Sequence, residues 1–297
     1  MTLPRQVIAG RFYMITRRCT QRQFLLRPDA ETNNAFAYCL AEAAQRFGIE
    51  VLLSQAMSNH HHTNVFDRHG NIIEFVEHFH KMLAKTQNAL RGRWENFWSS
   101  EQVCIVHLVE PTDVIDKLVY TATNPVKDFL VERVHHWPGF DAVSLLLRQR
   151  PITAHRPRHF FREHGCMPET VNLELTIPPE LGERDAVLAE LRARIVEAEA
   201  ACARVRMQTG RHVVGRRRVL RQSWRASPTS DVPRRNLRPR VAARSKWTRI
   251  EALQRNREFL IAYREARAAW IAGMPIPFPV GTYWLRRFVG VPVVLAN

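Results

Sequence analysis

The chain has few cysteines, and Cys19, Cys39, Cys104, Cys166 and Cys202 are odd in number, widely scattered and without a CxxC pair. That spacing argues against a disulfide framework and a thiolate zinc site. No apolar run approaches the roughly 18 residues that a membrane span needs, so no membrane partner is expected. The opening MTLPRQVIAGRFYMITRR lacks an apolar core before a small-residue cleavage site, and the protein is expected to be cytoplasmic. Although there are 12 glycines, no glycine-rich phosphate loop follows a strand-like run, which argues against a doubly wound nucleotide-binding fold. No internal repeat is visible.

Acid is scarce where base is abundant. Residues 1–150 hold 17 Lys and Arg against 15 Asp and Glu, whereas residues 151–297 hold 27 against 13, so nearly all of the net charge of +16 lies in the second half. Between Arg204 and Arg249 fifteen basic side chains face one acid, Asp231, and all but Lys246 are arginine. Arginine's planar fork suits phosphates and base edges, and such a concentration of like charge favours a polyanionic partner. A membrane-surface helix would interleave these residues with a continuous apolar face, and PTSDVPRRNLRPR does not.

The 297 residues suffice for more than one domain, and the pattern divides them in three. In residues 1–150, RFYMITRR reads as a strand. A helix capped by Asp29 runs from about Glu31 to Phe47 and closes at Gly48, IEVLLSQAM and HHTNVF pair across Ser58-Asn59, and a second helix covers Ile72 to Leu90. QVCIVHLV is a further strand, and PTDVIDKLVYTATNP a helix capped by Thr112 or Asp113 and stopped by Pro125. Prolines 151, 157, 168, 178 and 179 mark 151–182 as a linker or arm. Residues 183–297 read as a mostly helical, arginine-rich DNA-binding domain: one helix from Glu183 to Val205, a short basic one in TGRHVVGRRRVLRQSW, a long amphipathic one in TRIEALQRNREFLIAYREARAAW, and an extended aromatic tail folded back over them. The expected fold class is α+β, an antiparallel sheet with packed helices followed by helices.

Three histidines in a row, in MSNHHHTNV, are too polar for an ordinary buried strand. Side chains alternate along a strand, so His60 and His62 share one face, about 7 Å apart at Cα, and His61 faces the other layer. Two neutral imidazoles can hold a divalent ion between them; the alternative is a run of exposed or hydrogen-bonded histidines. Tyr120 and Asn124, four residues apart on a predicted helix, also share a face. If that helix lies on the His60 and His62 face, the Asn124 amide oxygen becomes a third ligand and the Tyr120 hydroxyl lies beside the ion. Taken alone, Tyr120 reads as a half-buried helix tyrosine. Two imidazoles and an amide leave positions open for substrate, which suits Mg²⁺ or Mn²⁺ acting as a Lewis acid.

MSNHHH resembles the MxNHxH signature of the HUH endonucleases. YTATNPV resembles the YxxxNPV element of their single-tyrosine transposase branch, particularly the REP-associated tyrosine transposases. FYMITRRCTQR is similar to the family's opening strand, RGRWENFW to the run ahead of its penultimate strand, and KDFLVERVHHWP to the run after NPV. The likeness spans about residues 8 to 145. The family's middle residue is commonly hydrophobic and is His61 here, and Ser58 stands where a proline is common.

The resemblance implies an HUH, ferredoxin-like nuclease core in which His60, His62 and Asn124 bind Mg²⁺ or Mn²⁺ and Tyr120 is the nucleophile. It further implies cleavage of single-stranded DNA near a hairpin through a 5′-phosphotyrosine, and rejoining by the same site, as a monomer or homodimer. Arg17 and Arg18 match the family's arginine-containing run and are expected at DNA, the alternative being a solvated strand end. Arg216, Arg217, Arg218, Arg221, Arg225, Arg234 and Arg235 are expected on duplex or hairpin phosphates. Two other readings stand beside this one: a non-catalytic hairpin DNA- or RNA-binding protein on the same scaffold, and a nuclease that hydrolyses without a tyrosyl intermediate.

Overall fold

The computed structural model describes residues 4–230 and 239–294. The first half runs β1 (Arg11–Arg18), α1 (Ala30–Phe47), β2 (Ile49–Ala56), β3 (His60–Asp67), α2 (Ile72–Leu90) and β4 (Cys104–Leu108). These strands lie in the order β2-β3-β1-β4, all antiparallel, which is the split βαβ arrangement of ferredoxin-like folds. β1 pairs with β3 from Arg11 opposite Asp67 to Arg18 opposite His60 without a break in register. Residues 11, 13, 15 and 17 therefore share a face with His61, and Thr16 and Arg18 share the other with His62 and His60.

Local chemistry sets the boundaries. Asp29 Oδ1 accepts from the Thr32 N–H at 2.8 Å to start α1, and Gly48 ends it in the left-handed region at φ 64°. α2 starts at a buried carboxylate: Asp67 accepts from the N–H groups of Gly70, Asn71 and Ile72 at 2.8, 2.9 and 3.0 Å. Asp67→Ala leaves three donors without an acceptor under the sheet, and urea unfolding is expected to show a loss of about 2 to 4 kcal/mol.

α3 (Pro111–Lys127) departs from expectation at both ends. Glu110 rather than Thr112 or Asp113 is its cap, because Pro111 takes the first helical position, where its missing N–H costs nothing, and Asp113 reaches back to the Glu110 N–H at 3.0 Å. Pro125 does not stop the helix either. It falls in the last turn and forfeits a single bond, and the next turn still closes from Asp128 N–H to the Asn124 carbonyl at 3.0 Å. Tyr120 and Asn124 therefore lie on one uninterrupted helix.

The remainder wraps this core. After α4 (Val143–Arg148), the proline-punctuated 151–182 carries a two-stranded antiparallel ladder, β5 (Ile152–His155) with β6 (Thr170–Leu173), joined to α1 through Asn34 and Gln45. α5 (Arg184–Thr209) buries Val187, Leu188, Leu191 and Ile195 in the same hydrophobic core as the sheet. Its Arg194 pairs with Asp116 of α3, and Glu199 accepts from Arg133 at 2.9 Å and from the Val134 N–H at 2.7 Å. α6 (Arg216–Arg221) is the expected short basic helix. β7 (Val241–Ala242) adds to β4 in parallel, so the five-stranded sheet is mixed rather than wholly antiparallel; the returning chain meets the open β4 edge running in the same direction. α7 (Lys246–Ile271) and the tail close a smaller cluster of Ala266, Phe278, Leu285 and Val291. The tail, expected as extended chain, contains a short helix, α8 (Trp284–Val289), which turns Leu285 into that cluster. Among the described residues no helix is long and apolar enough to cross a membrane.

A buried carboxyl contributes to the pH dependence of the fold. Asp141, beside β2 and accepting from the Val143 N–H at 2.9 Å, is pushed up to about 7 by burial. The fold favours its protonated form, so the stability tied to it is full below the ordinary carboxylate value near 4 and is lost as pH climbs through 7. Melting curves of Asp141→Asn are expected to gain on the parent protein between pH 5 and pH 8.

Candidate metal and nucleophile site

α3 crosses the sheet face that carries His60 and His62. Their rings lie 5.0 Å apart between centroids, and the Tyr120 ring lies 5.2 Å from that of His62. Each histidine is anchored through Nδ1: His60 on Asn59 Oδ1 at 2.7 Å and His62 on Thr16 Oγ1 at 2.8 Å. Bonds of this kind set the ring orientation, and where Nδ1 donates in them Nε2 keeps the lone pair that metal ligation requires. The Asn124 amide nitrogen is 3.4 Å from His62 Nε2, and Asn124 Oδ1 is buried without a hydrogen-bond partner. A half-turn of the amide would bring that orphaned oxygen to His62 Nε2, where it and the two imidazoles make a donor set that fits a divalent cation.

The protonation states agree. Burial and the neighbouring Arg18 push His60 down to about 4, and burial holds His62 well below its ordinary range, so both are neutral at pH 7. Tyr120, about one-third exposed at 37%, moves the other way: burial and the Asp128 carboxylate raise its phenol, partly opposed by the Asn124 side chain and Arg18. The chain's own groups leave that phenol protonated near neutral pH. Lys117 and Lys127 place ammonium groups 5.6 and 5.2 Å from its ring centroid. Neither lysine was expected there, although positions 117, 120, 124 and 127 recur at helical spacing and that spacing could have found both. Among the described residues no group of three His, Cys, Asp or Glu side chains is placed to hold a metal, and the His60, His62 and Asn124 set depends on an amide.

His61 occupies the opposite face, fully buried, and its hydrogen bonds form a chain whose direction is fixed from both ends. Arg17 Nη1 can only donate, and it meets His80 Nδ1 at 3.1 Å. His80 Nε2 must then carry the proton and donate to His61 Nε2 at 2.8 Å, and His61 Nδ1 donates to Thr63 Oγ1 at 3.0 Å. Thr63 donates to Ser54 Oγ at 2.8 Å, and Ser54 to the His62 carbonyl at 3.4 Å. Burial keeps both imidazoles neutral, His61 down to about 3. Sliding β3 by one residue would exchange the faces of all three histidines, and this chain opposes it by tying His61 to α2 and β1. A polar side chain due on a buried face signals that such partners exist; the sequence did not name them.

The arginines separate accordingly. Arg18 is exposed on the His60 face. Arg17 is half-buried on the far face, bound to His80 and lying 5.3 Å from the Trp98 ring centroid. Arg216, Arg217, Arg218, Arg221 and Arg225 are all exposed and form no ion pair among the described residues. The segment that bears them is tied close to the histidine strand: Arg27 donates to the Gln222 carbonyl at 3.4 Å, Ser58 Oγ lies 3.5 Å from Gln222 Oε1, and Phe24 N–H bonds the Ala226 carbonyl at 2.9 Å. Arg234 and Arg235 lie outside the described residues.

No family model matches the chain. No curated protein matches it. Among solved structures, it is similar to a REP-associated tyrosine transposase bound to a REP hairpin, at 17% identity and a TM-score of 0.40, over 47% of this chain and 81% of that one. It is also similar to a candidate transposase from Deinococcus radiodurans R1, at 17% identity and a TM-score of 0.30, over 39% of this chain and 93% of that one.

Proposed function

We propose that the protein is a metal-dependent endonuclease and strand transferase acting on single-stranded DNA next to hairpins, with Tyr120 as nucleophile. The observation that carries this reading is the approach of α3 to β3, which sets the Asn124 amide 3.4 Å from His62 Nε2 and the Tyr120 ring 5.2 Å from the His62 ring.

His60, His62 and Asn124 would hold Mg²⁺ or Mn²⁺, which when bound polarises a phosphodiester and favours an adjacent phenolate. Tyr120, on a helix packed against the sheet, is 37% exposed, so a flexible strand would have access to it. The phenolic oxygen attacks phosphorus as its proton passes to solvent; the O–P bond forms, the bond from phosphorus to the 3′-oxygen breaks, and that oxygen takes up a proton. A 5′-phosphotyrosine and a free 3′-hydroxyl result. The new link is again a phosphate ester, so an incoming 3′-hydroxyl reverses the step without ATP. Lys117, Lys127 and Arg18 surround this position with positive charge, which attracts the DNA backbone and offsets charge developing on phosphorus.

The exposed arginines of α6 continue the basic surface toward the start of β3, where a hairpin stem beside the cleaved strand would lie. The test of the reading is incubation of the full chain with a pool of structured single-stranded oligonucleotides and Mn²⁺, followed by denaturing electrophoresis: a covalent protein–DNA band that chelator abolishes is expected. For the arginines, replacing Arg216, Arg217 and Arg218 together by Ser is expected to weaken hairpin binding. It should also flatten the plot of log affinity against log salt by roughly 0.7 to 0.9 for each phosphate that is no longer neutralised.

A further inference from the structure

On the other face of the sheet, at the opposite end of β1 from His61 and Arg17, lies a small pocket of about 50 Å³. That is room for about four waters, enough for one tetrahedral oxyanion and too little for a nucleoside. Among the described residues its wall includes Arg5, Arg11, Arg240 and Arg255, together with Tyr13 and His107, and no Asp or Glu. Four elements converge to build it: the segment before β1, β1 itself, the strand pair β4 and β7, and α7.

Arg5 and Arg240 are held without being neutralised. Arg5 Nη1 donates to the Ile105 carbonyl at 2.6 Å, and Arg240 Nη1 to the Pro4 carbonyl at 3.4 Å. Arg5, Arg11 and Arg240 have no ion pair among the described residues, and Arg255 has only an exposed one with Glu251 at 3.4 Å. Burial and the proximity of Arg240 press Arg5 below its ordinary value, as expected where guanidinium groups crowd together. Tyr13 is only 2% exposed, and its buried hydroxyl meets no acceptor for its proton, the neighbouring Arg11 being able only to donate. Buried hydroxyls are nearly always satisfied, and this one belongs to a side chain that lines the pocket. Convergent guanidiniums and an unused phenolic donor together are the complement of a phosphate oxyanion.

We propose that this pocket is a second anion site, which binds the phosphate group of a phosphate ester or free phosphate through Arg5, Arg11, Arg240, Arg255 and the Tyr13 hydroxyl. It shares no residue with the His60, His62 and Asn124 site, and its occupation does not depend on the nuclease reading.

Calorimetric titration of the full chain with sodium phosphate, against sodium chloride at matched ionic strength, tests it. Saturable one-to-one binding is expected, with a rise in melting temperature that chloride does not give. Arg5→Gln and Arg240→Gln should each weaken phosphate at least about tenfold, and Tyr13→Phe about three- to tenfold. Melting in chloride alone establishes that these variants are folded. Arg255→Gln alters a side chain 56% exposed on α7 and should also weaken phosphate without lowering that melting temperature. Phosphate that stabilises no more than chloride would overturn the proposal, as would binding that survives in both Arg5→Gln and Arg240→Gln. Displacement of a fluorescent hairpin oligonucleotide by phosphate at constant ionic strength identifies DNA backbone as the natural source. Undisturbed oligonucleotide binding alongside phosphate binding identifies a small phosphate compound.

Discussion

Tyr120→Phe is expected to lose covalent adduct formation on hairpin-flanked single-stranded DNA by at least about a thousandfold, while hairpin affinity and Mn²⁺ affinity stay within about threefold of the parent. The hydroxyl is the one group removed. The ring keeps its edge contact with His62 and its place beneath Lys117 and Lys127, so the fold and the cation set are undisturbed. Single-turnover incubation resolved by denaturing electrophoresis measures the effect. A phenylalanine variant that still cuts but forms no adduct would point to hydrolysis by water at the same site, and one that still forms the adduct would remove Tyr120 from the chemistry.

The second large effect concerns the ligands. His62→Ala removes an imidazole that is 5% exposed and whose Nδ1 is already engaged by Thr16. Mn²⁺ affinity, read by titration calorimetry or electron paramagnetic resonance, is expected to fall at least about a hundredfold, and cleavage with it. Hairpin binding should persist, because α6 and its arginines make no bond to His62. Asn124→Ala should also weaken Mn²⁺, and Asn124→Asp should restore binding with a tighter carboxylate ligand, since the position holds an oxygen that now has no partner. A protein that binds hairpins equally well with chelator, and whose His60→Ala and His62→Ala forms are indistinguishable from the parent in every assay, is a binding module and not an enzyme.

Much of this arrangement was legible in the sequence because it depends on periodicity. Alternation alone separated His61 from His60 and His62, and a four-residue spacing put Tyr120 with Asn124. Asp29 and Gly48 announced the ends of α1 by their chemistry. What periodicity does not carry is the long-range pairing of polar groups. Nothing local to residues 57–65 names His80 or Arg17 as partners of His61, and nothing near Arg17 shows that it faces away from the site while Arg18 faces toward it, until β1 is set against β3 in register. Helix ends escape local patterns where proline chemistry competes with capping: Pro111 displaces the expected cap, and Pro125 is absorbed in a final turn. The two-residue β7 lies in an arginine-rich stretch with no strand signal, and it pairs only because β4 left an open edge. The arginine pocket was equally hidden, since Arg5, Arg11, Arg240 and Arg255 are brought together by the fold and by no feature of their neighbourhoods.

The most direct measurement is mass spectrometry of the protease-digested covalent complex formed with a hairpin oligonucleotide and Mn²⁺. One modified peptide is expected, spanning α3, with the nucleotide's 5′-phosphate esterified to the Tyr120 oxygen. A 5′-phosphate on any other residue, or an oligonucleotide joined through its 3′ end, contradicts it.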